Sequence, residues 1–148
     1  MLDYYALPKD FTGMRDRPSG SPRSRVEHVE TAWAAAVDDR RFVPHLALHE
    51  FETWVYADPS RLDPFMFDDD AGVIEAIAKI ASGHSTPEDI DDGPMTAPSK
   101  RLRAVFAAYQ KPLHGPLAVS AIGIDRIRAV CPHFDCWLSK LMSCVAPV

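Results

Sequence analysis

The sequence predicts a helix-rich α/β fold: a short parallel βαβ unit followed by several helices. Residues 1–7 and 42–48 are runs of β-compatible side chains, and a helical stripe lies between them. A strand, a long helix and a strand in that order join as a parallel crossover. From residue 59 onward the chain reads as helical. The expected organisation is one domain over 1–148, with a βαβ-like part at 1–58 and a helical part at 59–148.

The first strand opens with Met1, Leu2, Tyr4, Tyr5 and Leu7 and stops at Pro8. Residues 8–23 are loop, with Thr12-Gly13, Pro18-Ser19-Gly20 and Ser21-Pro22 as turn signals. Ser24-Arg25-Val26-Glu27 fits a capping box, and Val26, Val29, Trp33 and Val37 form the stripe of the helix it starts. Asp38-Asp39-Arg40-Arg41 ends that helix. Pro44 places the second strand at a sheet edge or leaves its first residues irregular. Residues 49–57 read as a short helix closed by Asp58-Pro59. Asp70 is the expected cap of a helix striped by Val73, Ile74, Ile77 and Ile80 and ended by Gly83. Asp68-Asp69 and Asp91-Asp92 read as caps and turns. Thr86-Pro87-Glu88-Asp89 is a further helix start, with acids in its first turn. Leu102, Val105, Phe106 and Tyr109 mark the next stripe. Residues 116–122 are a short apolar piece. Ile124, Ile127 and Val130 mark one helix, and Phe134, Trp137, Leu138, Leu141 and Met142 the last.

The 148 residues are 47% hydrophobic and 25% charged, a soluble globular composition. A net charge of −5 argues against holding nucleic acid by bulk charge, but leaves room for a local basic groove. No apolar run reaches the length of a transmembrane helix, and MLDYYALPKD lacks the pattern of a signal peptide. Cys131, Cys136 and Cys144 are odd in number and clustered, which suits a reducing cytoplasm better than a disulfide framework.

Nucleotide-binding glycine motifs and the nucleophile elbow are absent. His49-Glu50 begins like a zincin, but Thr53 stands where the second histidine must be. Cys131, His133 and Cys136 offer soft ligands without a second pair to complete a zinc site, so small buried thiols are the expectation. The carboxylates are more informative. Asp3 lies on the first strand, while Glu50 and Glu52 follow the second. Ligands of open parallel sheets collect beyond the carboxyl ends of strands. If the strands are neighbours, these three acids converge, and clustered carboxylates need a cation. Oxygen ligands without sulfur suit Mg²⁺ or Mn²⁺. Arg15, Arg17, Arg23 and Arg25 make the first loop basic, and Ser99-Lys100-Arg101 places a hydroxyl and two cations at a helix start; both are candidate phosphate contacts. Lys111 and His114 follow that helix closely.

The strings LDYYALPKDFTG (2–13), FVPHLALHEFETWVYADPSRL (42–62), DDGPMTAPSKRL (91–102) and LHGPLAVSAIGIDRIRAVCPHFDCWL (113–138) together resemble a bacterial family of unknown function, domain of unknown function family 4276, grouped with the Toprim-like domains. The resemblance implies a Toprim-like parallel sheet wrapped by helices, and Mg²⁺-dependent phosphodiester chemistry. It also implies an ATPase partner in genome defence. The family's aspartate motif falls on Asp3, with Tyr5 in place of the second acid. Its LHEFE string carries His49, Glu50 and Glu52, and its PSKR string carries Ser99 and Lys100. The matching pattern begins at an internal position. The chain is therefore expected to be the C-terminal part of a longer protein, whose missing front holds a first strand and its glutamate. An open sheet edge would then favour homo-oligomers.

The function expected is part of a Mg²⁺-dependent nuclease: Asp3 and Glu50 as metal ligands, Glu52 as ligand or water-positioning base, and Lys100 as transition-state clamp. Arg15, Arg17, Lys100 and Arg101 would bind the nucleic acid. The alternative is a non-catalytic module that binds an ATPase or nucleic acid through its basic loop (Arg15, Arg17, Arg23, Arg25) and the Ser99–Arg103 turn. A small-molecule enzyme using His49 and His114 is a third reading.

Overall fold

The computed structural model describes residues 2–66, 70–90, 93 and 96–145. Met1 and the acidic turns expected at Asp68-Asp69 and Asp91-Asp92 lie outside the described residues. The fold is helix-rich α/β with a two-stranded parallel sheet. Strand β1 (Leu2–Asp3) pairs with β2 (Leu46–Ala47), Leu2 opposite Leu46 and Asp3 opposite Ala47. Helix α1 (Pro22–Val37) is the crossover. The remaining helices are α2 (Val73–Ser82), α3 (Pro98–Val105), α4 (Lys111–Ile122), α5 (Ile124–Val130) and α6 (Pro132–Val145).

Both strands are shorter than their apolar runs. Tyr4–Ala6 turns into a 3₁₀ segment that buries Tyr4, and Pro44 removes a donor just before β2. Helix α1 starts two residues before the expected position. Ser21, not Ser24, is its cap: the Ser21 hydroxyl accepts the Ser24 N–H at 3.1 Å, and Pro22 takes the first helical position, where no donor is needed. Helix α2 is capped by Gly72, at φ 85°, instead of Asp70. Helix α4 extends the short piece at 116–122 back to Lys111, although it contains Pro116. Pro112 falls in its first turn, where a missing N–H is harmless, so only Pro116 removes a helical bond.

Segment Phe51–Ala57 is a 3₁₀ helix in which Glu52 to Ala57 are all buried. Val55 and Tyr56 pack with Leu62, Ile77, Leu102 and Phe106 on one side. Trp54 and Ala57 pack with Ile122, Ile127, Cys131 and Phe134 on the other. A third cluster, Tyr4, Val26, Val29, Leu46 and Leu48, seals α1 onto the sheet. Polar ties fix the register: Tyr56 donates to the Pro98 carbonyl at 2.9 Å, and the Trp137 indole N–H donates to that of Val43 at 3.0 Å. Helix α4 lies against Phe51–Ala57 at Gly115, where a Cβ would meet the Tyr109 hydroxyl at 2.9 Å and the Phe51 ring at 3.4 Å. That close approach sets Lys111, one turn earlier, over the residues that follow β2.

His45 sits just before β2, only 2% exposed, with Trp54, Phe134, Trp137 and His133 around its ring. Burial, reinforced by His133, pushes its pKa down from 6.5 to about 3. Between those values the unfolded chain takes up a proton that the folded chain refuses. The stability His45 contributes is therefore complete above pH 6.5 and is lost as pH falls toward 3. Asp3, Glu52 and Glu88, whose carboxyls burial pushes up, act in the opposite direction near their own titration. Asp39, Glu50 and Asp58, whose carboxyls are held below their ordinary values, act in the same direction as His45, so the net slope is their combined effect reduced by the three raised acids. In urea unfolding with a chelator present, His45→Phe should remove the acid-side loss that His45 causes, so that stability falls less on acidification than it does in the wild type.

Candidate functional site: acidic residues around Lys111

The carboxyl ends of β1 and β2 bring Asp3, Glu50 and Glu52 to one lysine. Lys111 Nζ lies 2.9 Å from Glu52 Oε2 and 3.2 Å from Glu50 Oε1. Asp3 is near enough for both Lys111 and Glu50 to act on its titration. The parallel register dictates this arrangement. Asp3 is the last residue of β1, opposite Ala47, and the chain leaving β2 turns at His49, whose φ is 70°. That left-handed residue turns Glu50 and the start of the 3₁₀ segment toward α3 and α4.

The three acids have different environments. Glu52 is fully buried; its Oε1 has no hydrogen-bond partner among the described residues. Burial raises its pKa, and Lys111 offsets only part of that. Asp3 is also pushed up by burial, against the pull of Lys111. Burial would raise Glu50 too, but Ser99 and Lys111 outweigh it and hold this carboxyl below its ordinary value. Glu50 Oε2 accepts the Ser99 N–H at 2.9 Å, so Glu50 caps α3 from 49 residues away and leaves its own 3₁₀ segment uncapped. Lys111 is raised despite burial because Glu52 and Glu50 favour its charge. The buried Tyr109 hydroxyl faces Glu52, without a hydrogen bond of ordinary geometry among the described residues. Burial first, then the charge of Glu52, raises its pKa.

Of the three acids expected to converge, Glu50 and Glu52 meet at Lys111, and Asp3 lies near enough to feel Lys111 and Glu50, but the three carboxylates are not within one ion's reach of one another. Lys100 is exposed on α3, and the lysine that reaches the carboxylates is Lys111. Lys111 was legible only as a cation close to a helix end, because its own helix was hidden by Pro112 and Pro116. Arg101 donates to the Thr96 carbonyl at 2.8 Å, within its own turn. His114 Nδ1 accepts the Gln110 N–H at 3.0 Å, so it caps α4. His49 is buried, with its Nδ1 3.2 Å from the Tyr5 hydroxyl.

The first loop forms a groove of about 550 Å³ lined by Tyr4, Tyr5, Arg15, Arg17, Ser19 and Arg25. Arg17 donates to the Tyr4 hydroxyl and to the Met14 carbonyl, and its guanidinium lies 5.7 Å from the Tyr4 ring centre. Tyr5 connects the groove to the acids: its ring is 5.3 Å from that of His49, next to Glu50.

Among the described residues no helix is long and apolar enough to cross a membrane. No curated protein and no solved structure matches the chain. The sequence pattern of a family described as a domain of unknown function, DUF4276, matches residues 1–142. The match takes in β1, α1, β2, Lys111 and most of α6, so the chain belongs to the DUF4276 family.

Proposed function

We propose that this chain is part of a divalent-cation-dependent nuclease acting on nucleic-acid phosphodiesters. The observation that carries the reading is the placement of Asp3, Glu50 and Glu52 at the carboxyl end of a parallel strand pair, with Glu50 and Glu52 on one lysine, where sheets of this kind place their ligands. The donor set suits Mg²⁺ or Mn²⁺ in its chemistry, being all oxygen. The three carboxylates stand further apart than one ion's reach, with Lys111 against Glu50 and Glu52, so an ion would have to displace Lys111 and draw Asp3 in. Asp3 and Glu50 would hold the ion. A bound Mg²⁺ would supply a charge for a phosphate oxygen and an acidified water. Glu52 is the ligand or water-positioning base, and Lys111 takes the phosphate-clamping part expected of Lys100. Until then Lys111 neutralises Glu50 and Glu52. The groove with Arg15, Arg17 and Arg25 offers guanidinium groups to the backbone of a single strand, and exposed Tyr5 offers a face for a base.

One observation favours a non-catalytic binding module instead: Lys111 already supplies the cation that Glu50 and Glu52 need. Cleavage of single-stranded DNA and RNA with Mg²⁺ or Mn²⁺ decides between them. The nuclease reading expects cation-dependent cleavage that falls about 100-fold or more in Glu50→Gln. Binding without cleavage, unchanged in Glu50→Gln and weakened in Arg15→Ala/Arg17→Ala, selects the module. The proposed assembly includes an ATPase and a further strand on the open edge of β1, where Leu2 is 44% exposed. Co-purification and solution mass measure both.

A further inference from the structure

We propose that Glu30, His45 and His133 form a second cation site, for a transition-metal ion of the zinc type, opening on the groove between α1 and α6. The site stands apart from the acidic cluster: His45 precedes β2, whereas Glu50 follows it. Glu30 comes from α1 and His133 from the first turn of α6, so no sequence motif joins the three.

Glu30 Oε1 is 3.0 Å from His133 Nε2 and 3.8 Å from His45 Nδ1, and one ligand atom from each residue lies within 4.8 Å of the others. Ligands of a tetrahedral ion at about 2.0–2.1 Å stand roughly 3.3 Å apart, between the two measured separations. The imidazole centres are 4.9 Å apart with planes inclined by 26°. Two imidazoles on one tetrahedral ion place their centres roughly 5 Å apart. Small movements therefore bring all three donors to one ion.

The independent sign of a ligand is His45. Its side chain is 1% exposed, and neither ring nitrogen has a hydrogen-bond partner among the described residues. A buried imidazole nitrogen left 3.8 Å from a carboxylate without a hydrogen bond is costly unless something bridges the two. The other two ligands are already held in place. Leu46 N–H donates to Glu30 Oε1 at 2.7 Å, and Glu88 accepts the His133 N–H at 2.8 Å. Two imidazoles and one carboxylate suit Zn²⁺, Co²⁺, Ni²⁺ or Fe²⁺ better than Mg²⁺. A groove of about 320 Å³, lined by Glu27, Glu30, Thr31, His133, Trp137 and Lys140, reaches two of the ligands, so the fourth position is left to water or a small anionic ligand.

The test is titration of the metal-free full chain with Co²⁺, read by its visible bands, followed by displacement with Zn²⁺. One Co²⁺ per chain with tetrahedral bands is expected. Glu30→Gln and His133→Gln should each weaken binding at least about tenfold. Circular dichroism checks that these variants fold; His45→Gln is secondary because that side chain is buried. Cys136→Ser/Cys144→Ser and Asp3→Asn/Glu50→Gln should bind as the wild type does. No stoichiometric binding by the folded chain, binding indifferent to Glu30→Gln and His133→Gln, or binding lost in the cysteine variant would overturn the proposal. Each of these outcomes leaves the nuclease reading untouched.

Discussion

Lys111→Met is expected to destabilise the fold by about 2–4 kcal/mol at neutral pH. The lysine is the cation at 2.9 Å from Glu52, which is fully buried, and at 3.2 Å from Glu50. Removing one partner of a buried ion pair leaves a charge that water cannot reach. The full interior penalty is about 3–5 kcal/mol, and it is reduced here because the Lys111 side chain is 37% exposed. Two further results separate charge from packing. The loss should shrink on mild acidification, because a protonated Glu52 no longer needs the cation; its carboxyl is already raised by burial. Lys111→Met/Glu52→Gln should recover most of the loss, because an uncharged pair of similar volume remains. Urea unfolding of the single and double variants measures all of this. A single variant within about 0.5 kcal/mol of wild type would mean that solvent screens the cluster.

The second large effect is expected at Glu88. This carboxylate is 5% exposed and accepts two backbone N–H groups at the start of α6, from His133 at 2.8 Å and Phe134 at 3.0 Å. First-turn N–H groups have no partner within their own helix, and here they are buried. Glu88→Ala strands both, and charge-assisted bonds of this kind contribute about 1.5–3 kcal/mol each. Burial of the carboxylate, which raises its pKa, offsets part of that. A net loss of about 2–4 kcal/mol is expected in urea unfolding. Glu88→Gln should lose less than Glu88→Ala, since its amide oxygen still accepts one N–H. Equal losses in the two variants would mean that charge, not hydrogen bonding, sets the contribution. Glu88→Ala should also weaken Co²⁺ binding, because His133 loses its backbone anchor.

The pattern of apolar residues foretold the parallel pair, the crossover helix and the placement of Asp3, Glu50 and Glu52 at the carboxyl end of the strands. Those features depend on local periodicity and on the direction in which parallel strands run. What the pattern hid depends on contacts between distant residues. Thr86-Pro87-Glu88-Asp89 has the composition of a helix start, and Thr86 and Asp89 do form a capping box. Only a 3₁₀ turn follows, and Glu88 caps a helix 45 residues further on. Glu50 likewise caps α3 instead of its own segment. Two prolines and a glycine obscured α4, and with it the position of Lys111. His45 reads as one apolar-strand histidine among six in the chain. Only the packing of α1 against α6 shows that Glu30 and His133 meet it.

The most direct test of the acidic site is Mn²⁺ binding, followed by electron paramagnetic resonance as free Mn²⁺ loses its signal. Site-specific loss of Mn²⁺ affinity in Asp3→Asn and Glu50→Gln is predicted, with Glu30→Gln and His133→Gln unaffected. Mn²⁺ that fails to bind, or that binds equally well without Asp3 and Glu50, would contradict a cation-dependent centre at the carboxyl end of the strands.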